Sequence, residues 1–188
     1  MMSENAVKIM MLAFYEPERQ VHVSELFEVA AAELARQSIP GSEISLRMAA
    51  ALRGIEEPEK FQRLLVEYTR LFLNPMGAVA SPYLSGWKEL LGDDVVERYL
   101  AFFQMHGFRM AEDFSDLPEH MAAVLEAYLN LAQTDPGEAR KLWENILAVW
   151  VPAFGQRLSE QADEDFYREF GIFLVQWADA ESGKWKGQ

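Results

Sequence analysis

Hydrophobic residues recur at three- and four-residue spacing along nearly the whole chain, with no sustained alternation of two and no Asn-Gly or Asp-Gly turn to suggest a strand. The clearest run is Phe61, Leu64, Leu65, Tyr68, Leu71 and Phe72, one apolar helix face opposite Glu59, Arg63 and Glu67, which stand four apart and are expected to support one another. Residues 1–15 predict a first helix. Ser24 is placed to cap a second through about Gln37, with Leu26, Phe27, Ala30, Ala31 and Leu34 inward and Pro40-Gly41 closing it. A shorter helix from about Ser42 to Arg53 should end at Gly54. Asp93 or Asp94 opens another, with Glu97 completing a capping box, and it runs to about His106-Gly107.

The capping pattern recurs twice more. Asp116-Leu-Pro118-Glu119 precedes Met121, Val124, Leu125, Tyr128 and Leu131, so a helix with proline in its first turn is expected there. Asp135-Pro136-Gly137-Glu138 precedes Trp143, Ile146, Leu147 and Trp150, and Pro152 should stop or kink that helix. The last helix begins near Asp163, turns Phe166, Phe170, Phe173, Leu174 and Trp177 inward, and leaves residues 182–188 as a frayed tail. With no repeat and no linker long enough to split it, the chain reads as a single all-α domain over residues 1–188, a bundle of about seven or more helices.

Composition narrows the function. At 188 residues and 50% apolar content the chain can bury one sizeable core, and the absence of cysteine removes disulfides, thiolate metal sites and cysteine nucleophiles together. A cytoplasmic location is expected. The apolar stretch near the N-terminus is preceded by Glu4 and interrupted by Lys8, unlike a signal peptide, and no apolar run approaches the ~18 residues of a membrane span. Net charge is −13, and the thirty residues between Arg109 and Arg140 contain no Lys or Arg but seven acids: Glu112, Asp113, Asp116, Glu119, Glu126, Asp135 and Glu138. Such a field repels nucleic acid and anionic lipid and draws in a basic ligand.

Catalytic constellations are scarce. None of His22, His106 and His120 follows a glutamate by three residues, no phosphate-binding glycine loop occurs, and Asp93-Asp94-Val-Val-Glu97 lacks the partner motif of a magnesium site and is explained by a helix cap. No catalytic residue, metal or cofactor is expected. Two segments instead suit a peptide. Tyr68, Leu71 and Phe72 lead into a loop carrying Pro75, Pro82, Tyr83, Ser85 and Trp87, an apolar edge beside a pliable lip. Trp87 must lie on the body of the bundle or stay ready to cover a ligand. The carboxylates Glu112, Asp113, Asp116 and Glu119 are of the type that meets paired guanidinium groups, and His120, at the positive end of a helix dipole, should be neutral.

Tyr68-x-x-Leu71-Phe72-x-x-Pro75, Pro82-Tyr83-x-Ser85-x-Trp87 and Leu117-Pro118-Glu119-His120-Met121-Ala122 together resemble the signatures of the TorD/DmsD/NarJ family of redox-enzyme maturation chaperones, as does Trp150-Val-Pro152-Ala-Phe154. The chain departs from the family pattern with Leu84 in place of glutamate, Trp87 in place of tyrosine and Glu119 in place of aspartate. The resemblance implies an all-helical cytoplasmic chaperone that binds the twin-arginine signal peptide of a molybdenum oxidoreductase subunit and holds the apoprotein for cofactor insertion before export. Its partners would be that leader and the apo-form of the oxidoreductase, with no nucleic acid and no stable membrane insertion. As a molecule it would be a monomer or a helix-exchanged dimer, the loop at 74 to 86 serving as the hinge. A helical adaptor for a folded partner, or an enzyme of unrecognised type, are the competing classes.

Overall fold

The computed structural model describes residues 4–36, 41–74, 77–110 and 116–186, and these hold ten α-helices with no strand among them. In order they are α1 Glu4–Ala13, α2 Pro17–Arg36, α3 Ser42–Leu52, α4 Pro58–Tyr68, α5 Lys88–Leu91, α6 Val95–Met105, α7 Met121–Thr134, α8 Pro136–Leu142, α9 Ala148–Gln161 and α10 Asp165–Lys186. A 3₁₀ turn, Leu84–Trp87, precedes α5, and π-helical turns Thr69–Leu73 and Trp143–Leu147 follow α4 and α8. The all-α expectation is met. The chain packs as two compact units, one of Met1–Ala80 with Val151–Gln188 and one of Ser81–Trp150.

The first unit is built round aromatic rings. Phe14 meets Phe154 at 5.7 Å and Phe170 edge-on at 5.2 Å, while Phe72 stacks on Phe154 and meets Tyr167 edge-on at 5.6 Å. The inward faces expected for α10 and for residues 27, 30, 31 and 34 of α2 are buried. Two glycines let α9 and α10 cross closely: a Cβ added at Gly155 would lie 2.7 Å from the Gly171 carbonyl oxygen, and one at Gly171 would strike the Gly155 carbonyl.

Several expected boundaries move. Ser24 does not cap α2; the helix starts a residue after Glu16, whose carbonyl accepts from Arg19 and Gln20, with Pro17 at the first position, and Ser24 Oγ donates back to Val21 within the helix. Leu26 is 60% exposed rather than inward. Gln37 and Pro40 lie outside the described residues. Pro152 does not end α9, because Val151, Phe154 and Leu158 on either side are fully buried and their packing outweighs the missing N–H. The expected tail is helical to Lys186, held by buried Ala178 and Glu181.

Glu67 is the largest departure in this unit. Its expected solvent-side partnership with Glu59 and Arg63 does not form, and the side chain is buried. Its carboxylate accepts two N–H bonds from Arg70, at 2.7 and 2.8 Å, and the Asp163 amide at 2.6 Å, while Arg70 also donates to the Gln161 carbonyl. Burial pushes its pKa up, yet the Arg70 guanidinium and the Asp163 and Glu164 amides outweigh burial and hold it below the ordinary 4.5. The end of α4 is thereby tied to the turn between α9 and α10.

The second unit buries Trp143, Trp150, Tyr128 and Tyr99, with Tyr128 against Trp143 at 5.5 Å. Asp135 caps α8 as expected, its Oδ1 accepting from the Glu138 amide at 3.2 Å with Pro136 next in line. Trp143, Ile146, Leu147 and Trp150 are inward as expected, although the helix passes through a π turn there. Asp94 precedes α6 without capping it, since its carboxylate pairs with Arg98 one turn on at 3.1 Å. Gly107, at φ 68°, closes α6 in the left-handed region where the sequence placed it.

Candidate peptide-binding site

The second unit brings the two signature segments together. Tyr83 and His120 form an isolated antiparallel bridge, with the Met121 amide donating to the Pro82 carbonyl at 2.7 Å and the Leu84 amide to the Glu119 carbonyl at 3.2 Å. Side chains close the clasp on both sides. Glu119 Oε2 accepts the Ser85 amide at 3.0 Å, at the start of the 3₁₀ turn, and the Tyr83 hydroxyl donates to Asp116 Oδ1 at 2.6 Å. The same Asp116 oxygen accepts the Leu117 amide at 2.9 Å, and the Tyr83 and His120 rings meet edge-to-face at 5.3 Å.

This geometry revises the expected helix start. Backbone pairing through Pro82 and Glu119 holds His120 extended, at φ −67° and ψ 139°, so α7 begins at Met121 and the Asp116-x-x-Glu119 capping box does not form. His120 itself is the N-cap, its Nδ1 accepting the Ala122 amide at 3.1 Å. That bond places the ring proton on Nε2, which faces Asp116 Oδ2 at 3.9 Å, beyond hydrogen-bond reach. Burial pushes the His120 pKa down from 6.5 and the Asp116 charge pulls it only partly back, so the imidazole is neutral as expected. Burial does most of this; the expected cause was the helix dipole.

The candidate residues fall into distinct environments. Ser85 is open, Asp116, with its side chain 37% exposed, and Tyr83 are partly open, and Pro82, Glu119 and His120 are buried. Trp87 is 4% exposed and donates its indole N–H to the Ser81 carbonyl at 2.8 Å, so it lies on the body of the unit. Tyr68, Leu71 and Phe72 belong to the other unit and are buried there, Tyr68 donating to the Phe14 carbonyl at 3.3 Å and Phe72 within the aromatic core. Pro75, Glu112 and Asp113 lie outside the described residues. Two residues that sequence reasoning passed over complete the clasp. Ser81 holds the Trp87 indole, and Gly86 passes so close that an added Cβ would fall 2.5 Å from Ser81 Oγ. No periodicity marks either, because Ser81 lies in a loop and Gly86 in a single 3₁₀ turn, too short to show a repeat.

What the arrangement offers is a hydrogen-bonded backbone clasp with one partly open carboxylate, Asp116, beside Leu117, which is 56% exposed. Glu119 is already committed to a main-chain amide. No helix among the described residues is long and apolar enough to cross a membrane. Residues 42–160 match the family model described as nitrate reductase delta subunit. The selenate reductase assembly chaperone protein of Thauera selenatis is 27% identical over 148 residues, which cover 70% of this chain and 76% of that protein. With a clasp joining its signature segments and a family match over more than half its length, the chain belongs to the nitrate reductase delta subunit family, the redox-enzyme maturation chaperones of NarJ/TorD type.

Proposed function

We propose that this chaperone binds the twin-arginine signal peptide of a molybdenum oxidoreductase subunit in the cytoplasm and holds the apoprotein for cofactor insertion before export. It does so without catalysing a reaction. The observation that carries the reading is the clasp: two segments far apart in sequence converge on Asp116, whose Oδ1 is fixed by Tyr83 and Leu117 while its side chain stays 37% exposed. A held carboxylate loses little side-chain entropy on meeting a guanidinium, which suits it to reading arginine. The acidic run without Lys or Arg around it would steer a basic leader toward the same place.

In this reading Asp116 contacts the leader, Glu119 and His120 shape the clasp, and Tyr83 links the two. Tyr68, Leu71 and Phe72 support the fold, and Trp87 braces the 3₁₀ turn. Residues 1–188 act as one chaperone, as a monomer or a helix-exchanged dimer. Isothermal calorimetry with a synthetic peptide carrying Arg-Arg followed by an apolar stretch tests the proposal. Asp116→Asn should weaken binding about ten-fold and flatten its salt dependence, in keeping with the loss of a charge-assisted bond. Unchanged affinity for a client stripped of its leader would instead favour an adaptor for the folded partner.

A further inference from the structure

We infer that the groove between α4 and the turn joining α9 to α10 docks a basic amphipathic helix of a partner protein, apart from any signal peptide. The groove has a volume of about 770 Å³ and lies wholly within the first unit, lined by Pro58, Gln62 and Val66 together with the carboxylates of Glu59, Asp163 and Glu164. The inference goes beyond the function proposed above and does not depend on it.

Shape selects a helix. Pro58, Gln62 and Val66 stand four apart on α4, a row of roughly 12 Å at ~1.5 Å per residue. Val66 is 58% exposed, although the same helix buries Leu64, Glu67 and Tyr68, so an apolar side chain is left bare in the groove. A groove this open leaves much of a small molecule in water, whereas a helix laid alongside α4 meets the row turn by turn.

Charge selects the sign. Glu59, Glu67, Asp163 and Glu164 line the groove against one base, Arg63, which is paired with Glu164 at 3.2 Å. The neighbouring Arg70 binds Glu67 at 2.7 Å and lies 3.4 Å from Asp163, so four acids less two arginines leave an excess of two negative charges. The next bases along the chain are already engaged: Lys60 donates to the Arg53 carbonyl, and Arg168 to Asp165 and to the carbonyls of Ala162 and Asp163. Glu59 forms no ion pair among the described residues, and the Asp163 side chain is 85% exposed. A basic partner therefore finds two available acids, and an acidic one finds no available base. Glu59 lies in the first turn of α4, while the Asp163 amide is held by Glu67 in the last, so the two acids mark opposite ends of the row. The occupant accordingly carries Lys or Arg about two turns apart, on the same face as an apolar residue that seats on Val66.

The probe is a synthetic helical peptide with two lysines and a leucine on one face, compared by calorimetry with versions carrying glutamate for lysine or serine for leucine. Wild type should bind the lysine and leucine peptide about ten-fold or more tightly than either control. Val66→Lys should weaken that binding at least ten-fold while leaving affinity for an Arg-Arg signal peptide unchanged. Glu59→Gln with Asp163→Asn should weaken it about ten-fold and flatten its salt dependence. Should Val66→Lys fail to fold, the exposed Glu59→Lys gives the second reading, with weaker binding expected. Undiminished binding in folded Val66→Lys would reduce the effect to the general attraction of a chain of net charge −13 and overturn the inference. Loss of Arg-Arg peptide binding in the same variant would assign the groove to the signal peptide and overturn it too. So would a change in sedimentation of the peptide-free protein on Val66→Lys, which would mark a contact between copies.

Discussion

Glu119 shows how a correct choice of residue can carry the wrong role. An Asp-x-x-Glu ahead of an apolar run has the same sequence whether its glutamate caps its own helix or reaches a distant amide, and only the Pro82 and Glu119 carbonyl pairing selects the second. Glu119→Ala should cost about 1–3 kcal/mol in urea unfolding, since the Ser85 amide loses its acceptor, while Glu119→Gln, which keeps an acceptor, should cost less. His120 gives a pH test. Its folded pKa lies below 6.5, so the unfolded chain takes up the proton first as pH falls; its contribution is full above 6.5 and is lost as pH falls through the folded value. His120→Asn keeps an N-cap acceptor without titrating, and stability measured by urea between about pH 7 and 5 should then vary less than in wild type.

Elements were easier to read than their joints. The face Phe61, Leu64, Tyr68, Leu71 and Phe72 was visible because it obeys the helical period, but the same spacing tolerates the π turn at Thr69–Leu73 that widens the last coil. Glu67 was misread for a related reason. Its spacing from Arg63 fits a surface pair, and nothing in local sequence announces the amides of Asp163 and Glu164, nearly a hundred residues on. The close approaches at Gly86 and Gly171 were equally silent, since a glycine in a loop and one in a helix both read simply as small. Gly86→Ala should destabilise by about 1–3 kcal/mol, and adding Ser81→Gly, which removes the opposing Cβ, should restore part of it in a thermal-melt cycle. Gly171→Ala should cost at least as much with no such rescue, because a backbone carbonyl opposes it.

Across the whole molecule, charge and the all-helical class were legible, and the division into two compact units was not. Residues 81–150 carry twelve acidic against five basic side chains, more than half of the net −13. Binding of an Arg-Arg peptide should therefore weaken steeply between about 50 and 300 mM salt by calorimetry, whereas a neutral apolar peptide should hardly respond. The sequence offered no reason to expect two compact units, because one boundary, at Ala80 and Ser81, falls in a short loop and the other, at Trp150 and Val151, falls inside α9, where the helical period runs on unbroken.

Since Glu119 grips position 85 through the main chain, evolution is free to rewrite that side chain but must keep its peptide hydrogen. Proline is the one substitution that removes it, stranding a buried anion, so relatives retaining an acid at 119 should tolerate many residues at 85 and exclude proline.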